Sequence, residues 1–230
     1  MGIKFSSMEN LARLKKKFFK KKVFLTGHTG FKGSWLLTIL KFIGARVKGY
    51  SLEPKDLSLF NKINGENLCE SIIGDINNKS LLQEELLKFK PDFVFHFAAQ
   101  ALVNESYLNP VNTFNTNIIG TVNLLDSIRS LRNKCSTVII TTDKVYKNKE
   151  TLRPYTEKDQ LGGYDPYSSS KSCVELITES YRNSFFNLKK FNLHKKAFAT
   201  ARAGNVIGGG DWSNGRIVKD IINAIELNKP

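Results

Sequence analysis

Val23-Phe24-Leu25-Thr26-Gly27-His28-Thr29-Gly30-Phe31-Lys32-Gly33-Ser34-Trp35-Leu36-Leu37 decides the fold of this chain. An apolar run ends at Thr26, glycines follow at three-residue spacing, and a helix-like pattern begins at Phe31. That is how a strand hands its chain to a helix around a diphosphate. Gly27 allows the tight turn, Gly30 lets the backbone approach phosphate oxygens, and Gly33 lets helix and sheet pack closely. The start of the helix offers free N–H groups and a positive dipole end to the anion. Gly27, Thr29, Gly30, Phe31, Lys32 and Gly33 are therefore candidate dinucleotide-binding residues.

Outward from this turn, strands and helices alternate. The first strand covers 23–27 and its helix 31–43, with Gly44 as the stop. Strands are predicted at Arg46–Ser51, Leu68–Ile73, Phe93–Phe97, Thr137–Thr142 and Ala197–Arg202. Helices are predicted at Asn77–Phe89, Val111–Leu131, Tyr167–Phe186 and Ile217–Leu227. The β-branched run Thr137–Thr142 is of the kind buried on both faces. The alternation specifies an α/β fold with a doubly wound parallel sheet.

The chain has 230 residues, enough to bury a full core. No apolar run approaches the roughly 18 residues needed to cross a bilayer, and no signal-peptide pattern opens the sequence. Cys69, Cys135 and Cys173 form no Cys-x-x-Cys pair, so they read as reduced thiols of a cytoplasmic protein rather than metal ligands or a disulfide framework. Half of the net charge of +14 lies in residues 1–22, where Lys4, Arg13, Lys15, Lys16, Lys17, Lys20, Lys21 and Lys22 oppose only Glu9. Leu11, Leu14, Phe18 and Phe19 recur there at helical spacing. A solvated helix packing on the domain is preferred over an arm for nucleic acid or anionic lipid. Met1–Ser6 also fits a short myristoylation pattern. The expected organisation is a basic, helical leader over 1–22, then a domain from 23 to 230.

Tyr167-Ser168-Ser169-Ser170-Lys171 carries the second signal. Spacing of four puts Tyr167 and Lys171 one turn apart on one helix face. A nearby ammonium is expected to lower the phenol from its usual value near 10 and make it a base toward a sugar hydroxyl. Such a pair recurs by chance in helices; its weight comes from the glycine turn upstream.

With these motifs the chain resembles the extended short-chain dehydrogenase/reductase family, and within it the 4,6-dehydratases that act on CDP-glucose. The closer likeness is carried by Thr26-Gly27-His28-Thr29-Gly30-Phe31-Lys32-Gly33-Ser34-Trp35, Ala98-Ala99-Gln100, Thr142-Asp143-Lys144-Val145-Tyr146, and the run from Arg202 through Gly208-Gly209-Gly210-Asp211-Trp212. The resemblance implies a Rossmann-type domain that binds NAD, a nucleotide-sugar substrate and a homodimer. It implies that Thr142 and Tyr167 address the sugar C4 oxygen, that Asp143 is the acid for the C6 hydroxyl, and that Lys144 takes the position of the C5 base. Lys144 could act so if burial beside Lys171 lowered its pKa. It further implies that Asp75 and Ile76 grip adenine, that Ala98, Ala99 and Gln100 border the cofactor, with Gln100 also toward the substrate, and that Asn205 and Arg216 meet the substrate diphosphate.

Some positions depart from the family pattern. No acidic residue closes the second strand at Ser51; Glu53 lies two residues on and is the candidate ribose partner, which favours NAD over NADP. Asn104 stands where the family has a basic residue. Family members run on beyond this length, so most of a substrate lobe is expected to be missing. His28 reads as part of the turn, His96 as a satisfied strand-end residue and His194 as a surface one. A 4-epimerase of the same family, or a dinucleotide-binding module without turnover, remain open as alternatives. Apolar stripes at Ile118, Val122 and Leu125 and at Val174, Ile177 and Tyr181 fit either core packing or a dimer contact.

Overall fold

The computed structural model describes residues 7–150, 152–213 and 215–227; the Met1–Ser6 pattern lies outside them. Six parallel strands form one sheet: β1 (Lys22–Thr26), β2 (Arg46–Ser51), β3 (Glu70–Ile73), β4 (Phe93–His96), β5 (Cys135–Ile140) and β6 (Lys196–Ala201). Their order is β3-β2-β1-β4-β5-β6. The order reverses between β1 and β4, and ligands of such sheets bind at that switch, outside the carboxyl ends of the strands.

The helices are α1 (Ser7–Phe18), α2 (Phe31–Phe42), α3 (Leu59–Lys62), α4 (Lys79–Phe89), α5 (Val103–Leu108), α6 (Pro110–Phe114), α7 (Gly120–Arg129), α8 (Pro166–Ser184), α9 (Phe191–His194) and α10 (Ile217–Glu226). One core lies on the α4, α7 and α8 side, around Phe24, Leu82, Leu86, Val94, Leu124, Leu125, Ile139 and Val174. The other lies under α2, around Val23, Leu25, Leu37, Leu40 and Ile43. Each such side chain, fully buried, contributes about 1.5–3 kcal/mol. Val174 and Leu125 are core; Ile177 and Tyr181 pack against it, half-buried. Ile118 and Val122 are also half-buried. The stripe on α8 thus packs on the core, and the other one does so through Leu125.

Several expectations are corrected. The helix expected over Val111–Leu131 is α6, a wide π turn at Asn115–Ile119, and α7. The strand expected over Thr137–Thr142 runs Cys135–Ile140 instead, and buries only one face fully: Cys135, Thr137 and Ile139 are inside, while Ser136, Val138 and Ile140 are half-buried. Lys22 belongs to β1, not to the leader. Of Leu11, Leu14, Phe18 and Phe19, Phe18 alone is buried, with its ring 4.6 Å from that of Phe93; the other three are exposed. His194 is not a free surface residue: Nε2 hydrogen-bonds the Asn187 carbonyl and Nδ1 accepts from the Lys196 N–H.

Candidate functional site

The glycine turn has the shape its sequence requires. Gly27 sits at φ +73°, and a Cβ there would lie 2.6 Å from the Ala98 nitrogen. A Cβ on Gly33 would lie 2.0 Å from the Gly27 carbonyl oxygen, so α2 rests directly on the turn. Gly30 is the exposed N-cap of α2 and carries no side-chain cap, and the first backbone bond into the helix is Ser34 N–H to Gly30 at 2.8 Å. The N–H groups of Phe31, Lys32 and Gly33 thus face outward at a positive helix end. This cradle fits a diphosphate.

Around the turn, polar side chains are spent on shape. The Thr29 hydroxyl donates to the Leu52 carbonyl at 2.9 Å and lies 2.8 Å from Ser51 Oγ, tying the turn to the end of β2. His28 is buried, with Nε2 2.7 Å from Ser71 Oγ, and burial lowers it to about 4. His96 bridges Thr26 Oγ1 (2.7 Å) and Thr121 Oγ1 (3.1 Å); burial, then the charge of Lys171, lower it to about 3. Thr26 Oγ1 also accepts from the Ala98 N–H at 3.2 Å, which fixes the start of Ala98-Ala99-Gln100 at the switch point.

The remaining cofactor candidates divide. Glu53 is exposed just past β2, open to a ligand. The Asp75 carboxylate accepts from its own turn, at Asn77 N–H, 2.9 Å. The Ile76 side chain is buried in the core, so any contact it makes beyond the core is through its backbone. Gln100 is spent on its own loop: its amide nitrogen donates to Leu102 O and Thr113 Oγ1, and its oxygen accepts from Leu102 N–H. Asn117, which the sequence reading missed, holds both backbone groups of Gln100 and reaches Ser170 on α8 at 2.8 Å. It sits in the π turn, an irregularity frequent at functional sites.

Helix α8 begins where Asp165-Pro166 dictates. Pro166 occupies the first turn, and Asp165 accepts from the Ser168 N–H at 3.0 Å and from its hydroxyl at 2.6 Å. Tyr167 therefore lies at the very start of the helix, beside the loop that follows β5. That loop is held by continued pairing: Thr141 N–H donates to Ala201 O and Asp143 N–H to Ala203 O. Thr142 is buried; its hydroxyl lies beside the Tyr167 phenol and donates to Asp143 Oδ1 at 3.0 Å. Asp143 and Lys144 are exposed.

The structure brings Thr142, Asp143, Tyr167 and Lys171 together, but two expectations about their charge are corrected. Burial raises the Tyr167 phenol, and the Thr142 hydroxyl and the charge of Arg216 offset this only in part. Lys171 does not lower it. Its own ammonium is brought down to about 7, by burial and by the charge of Lys32, and it donates to the Ile140 carbonyl at 3.2 Å. Lys144 is exposed rather than buried beside Lys171. Asn205 is exposed, and Arg216 is half-buried with Nε 3.2 Å from Asp211 Oδ2.

Glu175 was also missed. It lies one turn beyond Lys171 on α8, buried, and accepts from Thr141 Oγ1 (2.5 Å), Thr200 Oγ1 (2.8 Å) and Arg202 (3.1 and 3.0 Å). It ties α8 to the ends of β5 and β6. The fork of Arg202 onto one carboxylate is a strong, directional pair.

Residues 24–194 match a family model described as GDP-mannose 4,6 dehydratase. Over 210 residues the chain is 49% identical to CDP-glucose 4,6-dehydratase of Salmonella typhimurium, covering 91% of this chain and 58% of that protein. It is 32% identical over 187 residues to CDP-paratose 2-epimerase of Salmonella typhi, covering 71% and 54%. In fold it is similar to dTDP-glucose 4,6-dehydratase of Bacillus anthracis, solved in complex with NAD. The TM-score is 0.74 at 21% identity, over 91% of this chain and 62% of that one. The chain thus spans somewhat more than half the length of the relatives it matches.

Proposed function

This chain belongs to the GDP-mannose 4,6-dehydratase family, and we propose that it carries the site for NAD-dependent 4,6-dehydration of a nucleotide sugar, CDP-glucose, to CDP-4-keto-6-deoxyglucose. The observation that carries this reading is the meeting of Thr142, Asp143, Tyr167 and Lys171 outside the carboxyl ends of the central strands. The 49% identity to a CDP-glucose 4,6-dehydratase supports the choice of sugar nucleotide.

The cofactor would be held by the Gly27–Gly33 cradle, with Glu53 toward its ribose and the backbone at Asp75–Ile76 and Ala98–Ala99 along its flank. When bound, NAD supplies reversible hydride storage, so the conversion is redox-neutral and releases only water. The Tyr167 phenol must first give its own proton to solvent; its Oη then takes the proton of the sugar C4 hydroxyl, with Thr142 Oγ1 holding that oxygen. The Asp143 carboxyl gives a proton to the C6 hydroxyl, which leaves as water. Lys144, whose exposed ammonium must first give up its own proton, takes the C5 proton and returns it to C5 as the 6-deoxy product forms; the proton gained from the C4 hydroxyl offsets the one that Asp143 gives to the departing water. Arg216 and Asn205 address the diphosphate.

Incubation with NAD and CDP-glucose should yield a product with the alkaline absorbance of a 4-keto sugar. A product that keeps its C6 hydroxyl would replace dehydration by 4-epimerisation. Gly33→Ala tests the cradle: with no room for the Cβ, the turn must shift, and NAD affinity by calorimetry should fall at least about tenfold, roughly 1.4 kcal/mol. Unchanged affinity would place the cofactor elsewhere. A homodimer belongs to the same reading, supported by Ile119 in the π turn and by Leu176 on α8, both exposed. Light scattering at micromolar concentration should give twice the 26.0 kDa chain mass; a single-chain mass throughout would remove the dimer.

A further inference from the structure

The two stretches that carry the closer resemblance touch one another. The Trp35 indole N–H donates to the Gly209 carbonyl at 3.1 Å, across 174 positions of chain. A Cβ on Gly208 would lie 3.3 Å from Phe31 Cζ and 3.5 Å from Trp35 Nε1. Gly210, at φ +89°, leaves room for Leu59: a Cβ there would lie 2.7 Å from its Cδ1. Next in the chain, the Lys62 ammonium stands 5.7 Å over the Trp212 ring, and the Trp212 carbonyl accepts from Lys219 Nζ at 2.8 Å. The segment 208–212 is thus seated on the first turns of α2 and on α3.

The seat ends at a charge pair. Asp211 holds Arg216 at 3.2 Å, and Asp211 is much the less exposed of the two. Lys32, one residue past Phe31, is lowered by burial and by the charge of Arg216, and raised by that of Asp211. Two cations from opposite ends of the sequence therefore lie within electrostatic reach of each other, with Asp211 as the nearby negative charge. A diphosphate is an anion that both can serve.

We propose that Trp35 is a positioning residue: its indole N–H fixes the 208–210 seat, so that Asp211 sets Arg216 beside Lys32 to receive the diphosphate of the nucleotide sugar. This rests on the reading that the substrate is a nucleotide sugar.

Trp35→Phe keeps a ring against Gly208 and removes the donor. Amide hydrogen exchange at 208–212 should quicken, with β1 and α8 unchanged. The loss of one hydrogen bond, about 1.4 kcal/mol, corresponds to about tenfold weaker binding of CDP by calorimetry. KM for CDP-glucose should rise by the same factor, with kcat changed less than about threefold and NAD affinity unmoved. Unchanged exchange at 208–212 would overturn the seat. Faster exchange with unchanged CDP affinity would leave Trp35 merely structural. CDP that fails to bind the unaltered chain would also overturn the proposal. CDP binding that depends on Trp35, without turnover of CDP-glucose, would instead sink the dehydratase reading alone. Should Trp35→Phe unfold, Asp211→Asn cuts the Arg216 tether with the indole contact intact and should give the same loss of CDP affinity.

Discussion

Tyr167→Phe should lower turnover of CDP-glucose by about two to four orders of magnitude, the range that a positioned proton-transfer group supplies. Only the phenolic oxygen is removed. The ring keeps its place at the start of α8, because Asp165 and Pro166, not Tyr167, set that helix end. Melting temperature and NAD affinity should therefore stay close to those of the unaltered chain, and the loss should fall on kcat. The Thr142 hydroxyl, turned toward the same oxygen, would remain to orient substrate, which keeps KM within a few-fold. The free protein holds Tyr167 firmly as a phenol, because burial raises it. Its conversion to a base thus belongs to the loaded site, where the phenol must first lose its own proton before it can accept the one that leaves the sugar. A Tyr167→Phe protein that makes the 4-keto product at the original rate would remove Tyr167 from the chemistry.

How far the sequence could be read follows from the range of each interaction. The glycine turn, the parallel strands and Tyr167/Lys171 were legible because each is a pattern within one short window. The π turn at Asn115–Ile119 was not: one wider turn leaves the helical spacing of Val111–Leu131 nearly intact. Asn117 offers no local sign that it will hold the backbone of Gln100, and Glu175 none that it will meet Thr141, Thr200 and Arg202. Such pairings join segments far apart in sequence, and one sequence by itself shows no trace of them. Charge was misjudged for the same reason. Sequence spacing placed Lys171 near Tyr167, but its ammonium points to the Ile140 carbonyl, and it is lowered first by burial and then by the charge of Lys32 on another helix. Lys144 illustrates the reverse: its neighbours in sequence are site residues, yet it is exposed. The seat of 208–212 on α2 was half-legible. Both motifs stood out, but nothing in either said that Trp35 would reach Gly209.

Glu175→Leu should be the most destabilising single change outside the hydrophobic core. The carboxylate is buried at the junction of α8, β5 and β6, and Arg202, itself largely buried, has it as a two-pronged partner. Burial alone would push the Glu175 carboxyl up, but the hydrogen bonds from Arg202, Thr141 and Thr200 outweigh it and hold it below the usual range. Removing one member of such a pair leaves an uncompensated buried charge, at a cost of about 3–5 kcal/mol. For a chain of this size each kcal/mol moves the melting temperature by about 2–4 °C, so a fall of roughly 6–20 °C is expected. The pH dependence has a definite sign. A carboxyl lowered on folding adds stability that is present above its unfolded value, near 4.5, and is lost as pH falls through the folded one. The gap between the unaltered chain and Glu175→Gln should therefore be full at neutral pH and shrink in acid. Glu175→Leu combined with Arg202→Leu should recover part of the loss, because no charge is then stranded. Equal melting temperatures for Glu175→Leu and the unaltered chain would mean that the junction carries no weight. Thr142 and Tyr167 would then be held in place by the strand pairing and the Asp165 cap alone.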